Sequence, residues 1–185
     1  MKIALVSGFW GQNIGNAFFN LGGRYILEAA GHEVFFLQDA PAYWTFRDEA
    51  KGNYRQSFPL VEELEFDLLV LQGPLFTRNF AAIWAEPLSR LAKSGSGWAV
   101  LSAGFRSYSD EELRALRSVV DFAGQPEFIS TRDPLTAEML RRDQRLHVYE
   151  GIDSAFFMPR AEPVLSRRLG TDPYVALCFD HFVEP

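Results

Sequence analysis

Residues 7–23 read Ser-Gly-Phe-Trp-Gly-Gln-Asn-Ile-Gly-Asn-Ala-Phe-Phe-Asn-Leu-Gly-Gly. A short apolar run, Ile3, Ala4, Leu5 and Val6, comes before this stretch. An apolar pattern at helical spacing, Ala17, Leu21, Tyr25 and Ala29, runs through its end and beyond. A buried strand, a glycine-rich turn and a helix are how a parallel α/β sheet opens. Backbone N–H groups left free at such a helix start favour anions. Gly8, Gly11 and Gly15 fit no strict phosphate-loop or dinucleotide fingerprint. A plain strand-to-helix turn and a ligand-binding turn therefore both stand.

The same alternation continues outward. Apolar runs predict strands over 2–6, 33–37, 68–71, 98–102, 127–130 and 147–149, and helical periods predict helices over 16–30, 59–63, 79–92, 110–122 and 134–142. Asp110, Glu111 and Glu112 put carboxylates at the positive end of one helix dipole, and Asp133 before Pro134 is an N-cap signal. The expected fold is a Rossmann-like α/β domain over 1–160, a parallel sheet with helices on both faces. Ligands in such sheets bind beyond the carboxyl ends of the strands. Those ends are 7–16, 38–44, 72–77, 102–107, 131–133 and 151–153. The remainder, 161–185, reads as a polar linker followed by one more apolar strand at 174–179. That strand either opens a second, largely absent domain or is added to the edge of the first sheet.

The chain has 185 residues, 48% of them hydrophobic, enough for a sizeable core. Its formal net charge of -6 and lack of basic blocks argue against nucleic acid as a partner. The single cysteine, Cys178, allows no intramolecular disulfide or cysteine metal cluster, and no metal-ligand spacing is found. The first apolar run is too short for a signal core or membrane span. The expected location is cytoplasmic, with peripheral association at the inner face of a membrane left open. Nothing in the sequence sets the oligomeric state.

Three patches resemble the polysaccharide pyruvyl transferase family. Asn13-Ile14-Gly15-Asn16 is similar to its Asn-x-Gly-Asp. Ser130-Thr131-Arg132-Asp133 with Thr136 is similar to its Ser-x-Arg-Asp-x-x-Ser. Asp153-Ser154-Ala155-Phe156 is similar to its Asp-Pro-Ala-Phe. Asn16 departs from the usual Asp, Thr136 from Ser, and Gln72-Gly73-Pro74 stands where a run of glycines is common. The resemblance implies one half of a two-domain, GT-B-like glycosyltransferase architecture, with the site in the cleft between the domains.

It also implies transfer of a pyruvyl group from phosphoenolpyruvate to a sugar of a polysaccharide or its precursor, with the donor as a substrate and no cofactor. Such a donor is a compact anion suited to guanidinium groups. Arg132 is the first candidate for donor binding; the alternative is a loop-bridging role, with Asp133 only capping a helix. Gly11, Asn13, Gly15 and Asn16 are donor-side candidates that equally suit loop backbone groups. Tyr43 and Trp44, with Phe46 nearby, offer flat faces to a sugar ring or cover core. Gly73 and Ser102, at strand ends, complete the acceptor-side candidates. His181 is the one candidate for the catalytic acid; His32 and His147 are expected to be structural. Sugar-nucleotide glycosyl transfer, and a non-catalytic carbohydrate- or anion-binding module or truncated remnant, remain alternatives.

Overall fold

The computed structural model describes residues 1–7, 14–38 and 64–161. Six parallel strands form one sheet: β1 (Lys2–Ser7), β2 (Glu33–Gln38), β3 (Leu68–Gln72), β4 (Gly97–Ala103), β5 (Ile129–Thr131) and β6 (Val148–Glu150). Their order is β2-β1-β3-β4-β5-β6. The helices are α1 (Ile14–Ala29), α2 (Phe80–Ser94), α3 (Asp110–Ala123), α4 (Pro134–Leu140) and α5 (Met158–Ala161), with a 3-10 turn at Ser154–Phe157. This is the Rossmann-like α/β fold expected. The helix expected over 59–63 and the strand over 174–179 lie outside the described residues, as does the segment 162–185.

Side-chain alternation builds the two faces. Leu69 and Leu71 of β3 join a core cluster with Trp84, Leu88, Leu113 and Leu116 of α2 and α3. Leu68 and Val70 point the other way and pack with Leu27 of α1. Successive strand residues face opposite sides, so a run of five buried residues in β3 marks a strand covered on both faces. Helix α3 begins on a capping box: Ser109 Oγ accepts from Glu112 N while Glu112 reaches back to the Ser109 backbone.

From β1 the chain crosses to β2 on one side, then returns to place β3 on the other. The carboxyl ends of β1 and β3 are therefore the topological switch point, where a crevice opens above the sheet. One irregularity matters there. Val100 pairs with Ile129 but Ala103 with Thr131, so β4 holds an extra residue against β5. Ser102, in this bulge, has φ +54°, a left-handed conformation that a non-glycine residue adopts at a cost. The strand expected over 127–130 accordingly begins and ends later, at Ile129–Thr131.

Candidate functional site

At the switch point, Gln72 ends β3 and is buried. Its Nε2 donates to Asn20 Oδ1 of α1 and to the Val6 carbonyl, the latter at 3.4 Å. One amide thus ties α1 to the ends of β1 and β3. Gly73 follows with φ +86°, and a Cβ there would stand 3.3 Å from the Phe19 ring. Its carbonyl accepts from Gly104 N at 3.2 Å, which holds the loops after β3 and β4 side by side. Gly73 therefore shapes the rim through its backbone.

Ser102 is buried, and its bulge turns its hydroxyl toward the end of the described chain. Ser102 Oγ donates to the Ile152 carbonyl at 3.3 Å and accepts from Ser154 N at 2.9 Å. Ser154 Oγ donates to the Phe19 carbonyl at 3.0 Å. Helix α1 comes so close that a Cβ on Gly22 would lie 1.8 Å from the Ser154 carbonyl oxygen. The Asp153–Phe156 patch is thus seated on α1 and pinned by Ser102, whose hydroxyl faces protein on both sides.

Arg132 leaves the end of β5, with its N–H donating to the Ala103 carbonyl at 3.0 Å. Its side chain lies across Gly104, where a Cβ would meet Nε at 2.6 Å. Nη1 stands 3.7 Å from Asp153 Oδ2, and Nε stands 4.0 Å from Asp133 Oδ2. Both carboxylates have backbone duties. Asp133 caps α4, accepting from Thr136 N at 2.7 Å and Thr136 Oγ1 at 2.8 Å. Asp153 accepts from Ala155 N at 2.9 Å. Threonine at 136 makes the hydroxyl bond to Asp133 that a serine there would make. The second and third sequence patches therefore meet at one guanidinium, 32% exposed, at the rim. Arg132, Asp133 and Asp153 together carry a formal charge of -1.

Beside them a cleft of about 810 Å³ opens between the loops after β3 and β4. Arg78 and Arg106 line it, both exposed, and neither has an ion pair or side-chain hydrogen bond among the described residues. Arg106 N donates to the Phe76 carbonyl at 3.3 Å, so its loop runs beside the one carrying Arg78. Asn79 precedes α2 and makes no side-chain cap bond, while Phe80 N donates to the Thr77 carbonyl at 2.9 Å and Asn79 N to Thr77 Oγ1 at 3.2 Å. Glu112 also borders the cleft, but its carboxylate accepts from Ser107 N and Ser109 N at 3.0 to 3.4 Å. Sequence reasoning singled out neither arginine. Arg106 falls inside the rim segment 102–107 and Arg78 one residue past 72–77, so position was the available signal.

Of the remaining candidates, Gly15 and Asn16 lie in the first turn of α1, and each has an interaction partner. Gly11, Asn13, Tyr43, Trp44, Phe46 and His181 lie outside the described residues. His32 lies at the opposite end of the sheet, in the turn between α1 and β2, against a second cavity also lined by Asp67 and Glu127. Among the described residues no three His, Cys, Asp or Glu side chains gather as a metal site would require, and no helix is long and apolar enough to cross a membrane.

No curated protein matches the chain. The family model for polysaccharide pyruvyl transferase matches residues 13–182, which spans the α1 turn, the Arg132 loop and the Asp153 patch. The chain belongs to the polysaccharide pyruvyl transferase family.

Proposed function

We propose that the protein transfers a pyruvyl group from phosphoenolpyruvate to a sugar hydroxyl of a polysaccharide or its precursor, at the carboxyl rim of the sheet. The observation that carries this is the convergence at Arg132: a guanidinium on the rim, held by Asp133 and Asp153 from two separate family patches. Arg132 would bind the donor through charge-assisted hydrogen bonds to an oxyanion. The two carboxylates restrict its orientation, so less freedom is lost on binding. The chemistry then requires an acid to protonate the enol carbon, attack of one sugar hydroxyl on the resulting cationic carbon, departure of phosphate, and attack of a second hydroxyl of the sugar to close the ketal, each hydroxyl giving up its proton. His181 is the proposed proton donor. Gly11, Asn13, Gly15 and Asn16 would line the donor side, and Tyr43, Trp44, Gly73 and Ser102 the acceptor side. The last two would act by shaping the rim. The donor is a metabolite of the cytoplasm, which places the proposed reaction there.

Thermal unfolding with added ligand tests this. At a hundredfold excess over Kd, a ligand adds about 2.7 kcal/mol. That corresponds to a rise in Tm of roughly 5–10 °C for a chain of this size. Phosphoenolpyruvate should give such a rise and Arg132→Ala should remove it. A rise with a sugar nucleotide and none with phosphoenolpyruvate would favour glycosyl transfer instead.

A further inference from the structure

We infer that the cleft between the β3–α2 and β4–α3 loops is a phosphoryl-binding subsite, with Arg78 and Arg106 as its cations. Two arguments converge. The first is charge. Arg24, Arg117, Arg132, Arg141 and Arg145 each stand within 4.0 Å of a carboxylate. Arg78 and Arg106 do not, although they line a cleft at the ligand-binding end of the sheet. Arg132 is already surrounded by more negative charge than it carries. Among the described residues, the rim's uncompensated positive charge therefore lies at Arg78 and Arg106, opposed by the exposed Glu111, while Glu112 is occupied by two backbone N–H groups.

The second argument is geometry. The two arginines come from adjacent loops bridged by Phe76 and Phe105, and both line the same cleft, so one ligand there meets both. The start of α2, a helix of 15 residues without a side-chain cap, brings the positive end of its dipole to the same cleft. A phosphate monoester accepts hydrogen bonds through three oxygens and matches paired guanidinium donors. The volume of about 810 Å³ leaves space for a sugar attached to that phosphoryl group. The phosphoryl group belongs either to the donor or to a phosphorylated acceptor sugar. This subsite deepens the pyruvyl-transfer reading and rests on it for the choice of phosphoenolpyruvate as one probe.

Calorimetric titration of the full chain, at fixed ionic strength, with inorganic phosphate, phosphoenolpyruvate and glucose 1-phosphate tests the subsite. Wild type should bind at least one of them, and the double variant Arg78→Ala/Arg106→Ala should bind it at least about tenfold more weakly. Both side chains are exposed, so an unchanged Tm verifies the fold. The double lysine variant should recover part of the affinity. Arg114→Ala, which removes an exposed arginine lining neither cavity, should change nothing. Loss confined to phosphoenolpyruvate assigns the subsite to the donor, and loss confined to glucose 1-phosphate to the acceptor. Equal binding by wild type and the double alanine variant, or no binding of any probe by wild type, overturns the subsite. If Arg132→Ala abolishes phosphoenolpyruvate binding while the double alanine variant binds all three probes as wild type does, the subsite falls and the transferase reading survives. If the double variant loses phosphate or glucose 1-phosphate binding and phosphoenolpyruvate never binds, the reverse holds.

Discussion

Gly104→Ala should separate the position of Arg132 from its presence. A Cβ at residue 104 would stand 2.6 Å from Arg132 Nε, 3.2 Å from Cζ and 3.3 Å from Cδ. Ordinary contact begins near 3.4 Å, so Nε must retreat by roughly 0.8 Å. The clashing atoms belong to a flexible side chain, one-third exposed, that has room to move. The folding cost should therefore sit at the low end of overpacking, about 1 kcal/mol. The functional cost should be larger, because displacements near 1 Å can lower rates by about a hundredfold and charge-assisted bonds are sensitive to alignment. Phosphoenolpyruvate affinity, measured calorimetrically, should drop about tenfold, and urea unfolding should report the small stability change. In an Arg132→Ala background the same glycine substitution should leave the residual affinity unchanged, a coupling that a double-mutant cycle reads directly. Undiminished affinity in the single variant, or equal effects in both backgrounds, would refute the placement of Arg132 in the donor site.

Other substitutions test the scaffold around it. Gly22→Ala drives a Cβ to 1.8 Å from the Ser154 carbonyl oxygen, a backbone atom that cannot step aside. It should destabilise by about 2–4 kcal/mol in urea through overpacking and strained bonds from Ser154, and an unchanged midpoint would contradict the close seating of α1. Ser109→Ala removes the Oγ acceptor of the α3 capping box and should cost about 1 kcal/mol. Asp143, buried in the turn after α4, is held well below the usual carboxylate range by hydrogen bonding to Arg145, with Arg117 assisting against the opposing effect of burial. Its folded-state pKa is depressed, so its contribution is complete above about pH 4 and is lost as pH falls toward the folded value. Asp143→Asn should therefore lower stability at neutral pH and flatten the acid limb of the pH–stability curve; an acid limb as steep as wild type would count against the assignment.

Much of the sheet was readable from local pattern. The apolar runs in β1 and β3 are buried on both faces, and Asp133-Pro134 and Ser109 through Glu112 cap their helices as their chemistry suggests. Strand order and fine register were not, because they arise from contacts distant in sequence. No periodicity reports that Ser102 adopts a left-handed conformation, since the usual marker, glycine, is absent there. That bulge shifts β5 and turns the Ser102 hydroxyl toward Ser154, 52 residues away. The site was legible in a similar proportion. Arg132 was marked by its neighbours in the chain, and the structure brings Asp153 to it. Arg78 and Arg106 carry no motif, and only three-dimensional placement reveals which arginines have carboxylate partners.

The most direct measurement is the calorimetric affinity of wild type and Arg132→Ala for phosphoenolpyruvate, with Arg132→Lys alongside. Wild type should bind, the alanine variant should lose at least about tenfold, and lysine should restore only part because it lacks the planar fork. Equal affinity in wild type and the alanine variant, or no binding by wild type, would contradict pyruvyl transfer from this donor at the Arg132 rim.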